Sequence, residues 1–206
     1  MAITVVIDGV SRRFGERTAL CEVSATAKPG KLLLVTGRNG SGKSTLLKIA
    51  AGLLRPSTGS VVYKDGTDDG APELFSDRIG FASPELSLYD ELSALDNLTF
   101  FGGLKGVKGS TSRAEALLKR AGLLDRADDP LSSFSSGMKQ RMKFCFSLMN
   151  EPDVWILDEP TANLDDAGKG LVYSLIGEMR RKSALIIATN EKEEVRLGDE
   201  VIELGR

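Results

Sequence analysis

The chain has 206 residues, 41% hydrophobic and 27% charged, with a formal net charge of −2 and a pI near 5.4. That length buries one substantial core, so a single domain with a lobe fits better than a two-domain fusion. The acidic balance gives no global positive field for a polynucleotide or an anionic membrane surface, so nucleic acid is not an expected partner.

The absence of histidine removes every mechanism that needs an imidazole from this polypeptide. Cys21 and Cys145 sit in no ligand cluster and are expected to be plain buried thiols of a reduced compartment. The N-terminus reads as a strand and not as a signal segment, and no apolar run approaches bilayer length, so a soluble chain is expected.

Ile3 to Asp8 and Leu20 to Ala27 are rich in β formers and predict an antiparallel sheet, with Pro29-Gly30 turning the chain. Phe14-Gly15 falls between them in a polar, basic loop, where an aromatic is more often core than a cofactor shelf. The apolar run Leu32-Leu33-Leu34-Val35 then leads into Gly37-Arg38-Asn39-Gly40-Ser41-Gly42-Lys43-Ser44-Thr45, a complete phosphate-binding loop. Three glycines let the backbone bend so that successive N–H groups converge on one anion. Lys43 supplies a compact charge for the outer phosphates, the Ser44 hydroxyl suits a magnesium ion bridging them, and the following helix adds its positive dipole end. Thr45 reads as a structural position more than a ligand.

Leu46, Leu47, Ile49 and Ala50 recur at helical spacing up to Gly52, and Ser60 to Lys64 predicts a strand closed by Asp65-Gly66. Ile79 to Ala82 predicts another short strand. From Leu88 to Asn150 the pattern is chiefly helical, with Leu92, Leu95, Leu98 and Phe101 on one apolar face and a capping box at Ser112-Arg113-Ala114-Glu115. Two core strands return at Val154 to Leu157 and Ala184 to Ala188, separated by a helix around Leu171 to Arg181; the alternation implies a mainly parallel sheet. Asp158 and Glu159 end the first of these strands, at the carboxyl edge where open α/β sheets bind ligands. Asp158 suits the magnesium and Glu159 the polarisation of a water that attacks the γ-phosphate.

Pro160-Thr161-Ala162-Asn163-Leu164-Asp165 completes a run that resembles the ATP-binding-cassette (ABC) ATPases. Upstream, Leu131 to Arg141 is similar to that family's signature segment, with Phe134-Ser135-Ser136-Gly137-Met138 in place of Leu-Ser-Gly-Gly-Gln. The resemblance covers nearly the whole chain in the right order. It implies an α/β fold: a P-loop NTPase core with a mainly parallel sheet, an antiparallel β subdomain and an inserted helical subdomain over 86–150 that carries the signature. It further implies ATP and Mg2+ as ligands. A homodimer or heterodimer of ATPase subunits is implied, in which Ser135, Ser136, Gly137 and Met138 face the partner's ATP and Asp165 lies at the interface. Phe14 matches the aromatic that stacks on adenine. The helical lobe would contact membrane-spanning transporter subunits, placing the chain at the cytoplasmic face of the cell membrane through them.

Two positions depart from the family. Pro84 stands where a glutamine is usual, so Ser83 or Glu85 substitutes or the contact is lost; Asn190 stands where a histidine is usual, an amide that hydrogen-bonds but cannot become cationic. Glu159 remains as the main base, so an active but slow ATPase subunit of a transporter is the leading expectation. A nucleotide-gated regulatory subunit and a non-transport relative are the alternatives. The chain's short length and Glu91 to Leu98 are similar to ATPase subunits of haem exporters used in cytochrome c maturation.

Overall fold

The structure, a computed structural model, describes residues 3–66 and 69–205. The chain opens with two long strands, β1 (Thr4–Phe14) and β2 (Arg17–Ala27), which form an antiparallel hairpin through Gly15 at φ +58°. The expected basic loop around Phe14 is therefore strand and tight turn: Phe14 pairs with Arg17, and its ring is 47% exposed, so it is not core. The strand β3 (Leu32–Gly37) leads through the glycine-rich turn into helix α1 (Lys43–Ala50). Gly52, at φ +73°, ends that helix as expected: the Leu53 N–H reaches back to the Lys48 carbonyl at 2.9 Å. The strand β4 (Thr58–Lys64) pairs antiparallel with β1 and completes a three-stranded sheet.

After β5 (Ile79–Ala82) come three helices, α2 (Ala94–Leu104), α3 (Ser110–Arg120) and α4 (Ser136–Leu148). Leu98 is buried on α2, but Leu92 precedes that helix and is partly exposed. The expected capping box does not form. Ser112 lies inside α3, which begins one residue after Gly109, in the left-handed conformation. Side-chain caps do hold the neighbouring helices: Ser93 Oγ accepts from the Asp96 N–H on α2, and Ser135 Oγ from the Met138 N–H on α4.

The chain then runs through β6 (Val154–Asp158), α5 (Asp166–Met179), β7 (Ala184–Ala188), the one-turn α6 (Lys192–Val195) and β8 (Glu200–Leu204). The sequence reading contained neither α6 nor β8. Five strands form a parallel sheet in the order β5-β6-β7-β3-β8. Its central strands are buried on both faces, so they read as unbroken apolar runs. Leu33, Val35, Ile156 and Ile186 face a core shared with α1 and the antiparallel sheet. Trp155, Leu157, Leu185 and Ile187 face a second core with α2 to α5, where the Trp155 indole N–H donates to Ser147 Oγ at 2.9 Å. Cys145 lies in this second core and burial pushes its thiol up to about 12, whereas Cys21 is exposed on β2, contrary to the expectation that both are buried.

Register places the site. Val35 of β3 and Asp158 of β6 both pair with Ala188 of β7, so β6 and β7 end level and β3 runs two residues further. The glycine-rich turn, Asn190 and the Asp158-Glu159 pair therefore emerge side by side at one edge.

Candidate functional site

The backbone bends where glycine alone fits. Gly42 sits at φ +101°, and a Cβ there would lie 2.4 Å from the Ala19 carbonyl oxygen; at Gly37 it would lie 2.4 Å from that of Leu204. Gly42 also begins α1 without a side-chain cap, so the first N–H groups of that helix keep their donors for a ligand. A cleft of about 470 Å³ opens above this turn, lined by Phe14, Asn39, Gly40, Gly42, Lys43, Ser44, Thr45 and Glu159, together with Arg17 and Ala19. Arg38 is exposed beside it, and its carbonyl accepts the Ser41 N–H at 3.0 Å. Ser41 turns the other way, toward Gly205 beyond β8, so its hydroxyl is not part of the cleft.

Lys43 is buried, with its ammonium donating to the Gly37 carbonyl at 2.9 Å and standing 3.7 Å from Glu159 Oε1. Glu159 adopts φ +48°, a conformation costly for a side chain with a Cβ. Two backbone bonds hold it there: its N–H donates to the Ala188 carbonyl at 2.8 Å, and its carbonyl accepts from Ala162 at 3.2 Å. Burial raises the Glu159 pKa; Lys43 opposes, the Asp158 charge adds to the rise, and the Asn190 backbone N–H opposes. Asp158 is buried and its pKa is raised, first by desolvation, with the Ser44 hydroxyl and Lys43 pulling it down.

One oxygen of Asp158, Oδ1, is buried without a hydrogen-bond partner. A lone carboxylate oxygen beside a serine hydroxyl suits a magnesium ion that takes its other ligands from phosphates and water. Among the described residues no three acidic or thiol groups cluster as a metal cage. The donor set thus fits an ion that arrives with a nucleotide.

The Asn190 side-chain amide donates to Asn39 Oδ1 at 2.8 Å, so the second residue after β7 reaches across to the glycine-rich turn. Pro84 is exposed, and its carbonyl and that of Ser83 accept from Lys143 on α4 at 2.6 and 3.2 Å. Ser83 is buried, whereas Glu85 ion-pairs with Lys48 of α1 at 2.6 Å and its charge raises the Asp158 pKa. Glu85 is thus the member of that segment whose carboxylate reaches the field of the metal-type oxygen.

Ser135, Ser136, Gly137 and Met138 do not line the cleft. They begin α4, where Ser136 borders a separate 310 Å³ groove with Pro84, Asp90, Lys139 and Asn163. Ser135 Oγ is engaged as a helix cap, and so is Asp165, whose Oδ1 accepts the Gly168 N–H at 2.8 Å. Phe14 lies at the cleft's outer rim with the Arg12 guanidinium over its ring at 4.6 Å. Sequence reasoning missed Arg17, whose guanidinium meets the Gly40 carbonyl at 3.3 Å, because hairpin register brings it there.

A profile of the ABC transporter family matches residues 20–162, more than half of the chain. The chain belongs to the ABC transporter family. It is 35% identical to the ABC transporter ATP-binding protein NatA of Bacillus subtilis (strain 168), over 96% of this chain and 84% of that protein. It is also 35% identical to the aliphatic sulfonates import ATP-binding protein SsuB 1 of Burkholderia cenocepacia (strain HI2424), over 98% of this chain but only 62% of that protein's length. Among solved structures it superposes on the ATP-binding cassette MJ0796, a dimer in a post-hydrolysis state bound to ADP and Pi, with a TM-score of 0.85 and 27% identity over 97% of this chain and 94% of that one. The cassette's parallel sheet, antiparallel sheet and helices are those described above, and the cassette is an ATPase of the ABC type.

Proposed function

We propose that this cassette hydrolyses ATP in a dimer and drives a membrane transporter from the cytoplasmic face. The observation that carries the reading is the convergence of three strand ends, which sets the amide-lined turn with Lys43 against the unpartnered Asp158 oxygen and Glu159 around one cleft. The described residues contain no helix long and apolar enough to cross a membrane, so contact with the bilayer falls to partner subunits. The 86–150 lobe is the surface proposed for them.

In this reading the backbone amides after Gly37 and the Lys43 ammonium hold the β- and γ-phosphates, Phe14 flanks the base, and Ser44 and Asp158 hold Mg2+. When bound, Mg2+ supplies charge neutralisation on the transferred phosphate. Glu159 takes the proton of the attacking water. Its raised pKa brings it closer to neutral pH, where a base transfers protons best. Asn190 orients the γ-phosphate through its amide, without a charge. In the proposed dimer Ser135, Ser136, Gly137 and Met138 face the ATP of a second subunit and Asp165 lies at the interface; their position outside this subunit's cleft supports that arrangement.

Hydrolysis by the purified dimer with its membrane partner is measured against Glu159→Gln. Phosphate release above that control is expected; release equal to it sinks the hydrolytic reading. Binding of a fluorescent ATP analogue, lost in Lys43→Ala, tests nucleotide binding separately. The alternative of a nucleotide-gated subunit with little turnover draws on Pro84, which has no side-chain donor or acceptor, and on Asn190, an amide that cannot become cationic; Glu159 counts against it. A burst of phosphate without steady-state turnover is its signature. The narrower likeness to haem-exporter subunits at Glu91 to Leu98 is tested by haem transport in vesicles holding the complex.

A further inference from the structure

Glu194 on α6 is 1% exposed, yet neither carboxyl oxygen completes a hydrogen bond, and among the described residues it forms no ion pair. Two hydroxyls lie close to it, those of Thr161 and Thr189, both buried. Thr161 Oγ1 is itself without a partner, while Thr189 Oγ1 already accepts the Glu191 N–H at 2.9 Å and keeps its O–H to donate. Thr161 sits in the turn after Glu159, and Thr189 immediately precedes Asn190. The carboxyl of Glu194 thus lies between the two segments that carry the proposed base and the proposed phosphate-orienting amide.

A charge here is costly. Burial raises the Glu194 pKa above all other influences. The groups that face it are the Thr161 and Thr189 hydroxyls, Glu159 from the end of β6, Glu191 and Glu193 flanking it on its own segment, and Lys169 and Tyr173 from α5; the two hydroxyls and Lys169 favour ionisation, and burial outweighs them. A neutral acid has one donor and one acceptor, which match an accepting Thr161 oxygen and a donating Thr189 hydroxyl.

We propose that Glu194 is a positioning residue for hydrolysis: a neutral acid that ties the Glu159 turn, through Thr161, to the Asn190 segment, through Thr189. This rests on the hydrolytic reading given above. A carboxamide reproduces the donor and acceptor of a neutral acid, whereas it cannot replace a carboxylate that acts by charge.

Three full-length proteins are compared with Mg-ATP: wild type, Glu194→Gln and Glu194→Ala, each first checked for fluorescent ATP-analogue binding. Glu194→Gln is expected to keep kcat within about 3-fold, and Glu194→Ala to lose about 10-fold or more with little change in KM, as expected for a misplaced base. Wild-type kcat also declines at high pH where Glu194→Gln does not. Infrared difference spectra of wild type minus Glu194→Gln show a protonated carboxyl band at neutral pH. A Gln variant as impaired as Ala, an Ala variant as active as wild type, or a missing band each overturns the proposal. If wild type releases no more phosphate than Glu159→Gln, the hydrolytic reading falls alone; the band, and an unfolding midpoint for Gln near wild type but above Ala, then decide the neutral brace.

Discussion

Asp158 and Glu159 show how one pair of adjacent acids acquires two environments. Desolvation raises both pKa values, but Asp158 leaves a bare oxygen for a metal while Glu159 leans on Lys43. A carboxyl whose pKa is raised on folding favours the folded state below its unfolded pKa of about 4 and loses that contribution as pH rises through the higher folded value. The nucleotide-free protein should therefore give up some stability between about pH 4 and neutrality through these groups. Asp158→Asn removes part of that slope, so at neutral pH it should unfold at a higher temperature than wild type without nucleotide. It should also lose the extra stability that Mg2+ gives with ATP. Thermal unfolding across that pH range, with and without Mg-ATP, checks both signs; a variant less stable than wild type without nucleotide contradicts the argument.

Between residues and the whole molecule, helix starts and turns decide where chemistry can sit. Gly42→Ala combines a positive φ with a Cβ 2.4 Å from the Ala19 carbonyl oxygen. A loss of about 1–3 kcal/mol is expected from the strain alone, with analogue binding abolished because the amides no longer converge. Chemical denaturation and fluorescence titration read the two effects. The segment before α2 depends on Asn97, which is fully buried. Its Oδ1 accepts from the Tyr89 N–H, and its Nδ2 donates to the carbonyls of Tyr89, Leu92 and Ser93, bonds of 2.9 to 3.3 Å. Asn97→Leu, of similar size, leaves those groups unmatched and should cost about 1–3 kcal/mol or more in denaturant unfolding. An unchanged midpoint would mean water replaces the amide.

At this scale too, the sequence was legible in a particular way. The buried strands β3, β6 and β7 are apolar throughout, and the phosphate-binding turn has a spacing that few other structures need. By contrast β8, at the sheet edge, mixes Glu200 and Glu203 with Val201 and Ile202, and α6 is too short for any period to show. The Ser112 capping box failed because Gly109 begins the helix earlier. Phe14 looked like loop because basic residues surround it, yet pairing with β2 carried β1 through them. Arg17 and Glu194 had no local signal, since only strand register and packing bring them to the site.

On the scale of the molecule, the separation of the cleft from the start of α4 makes a prediction about assembly. If Glu159 is the base, as proposed, Glu159→Gln binds ATP without consuming it and should shift from monomer to dimer with Mg-ATP in light scattering. A Cβ on Gly137 would meet nothing closer than the Asn163 carbonyl oxygen at 3.5 Å, so Gly137→Ala fits the single subunit. In the Glu159→Gln background it should weaken ATP-driven association about 10-fold, or ~1.4 kcal/mol, because the facing subunit meets the added methyl. Equal association with and without the methyl would place that glycine away from the contact.

The placing of β7 between β3 and β6 has a dimensional consequence. Neighbouring strands lie about 4.8 Å apart, so one intervening strand sets the two walls roughly 10 Å from each other. Slot width therefore comes in whole strand spacings and cannot be tuned by side-chain choice. Fine adjustment falls to what protrudes from the middle strand's end, and there this chain carries a small uncharged Asn190.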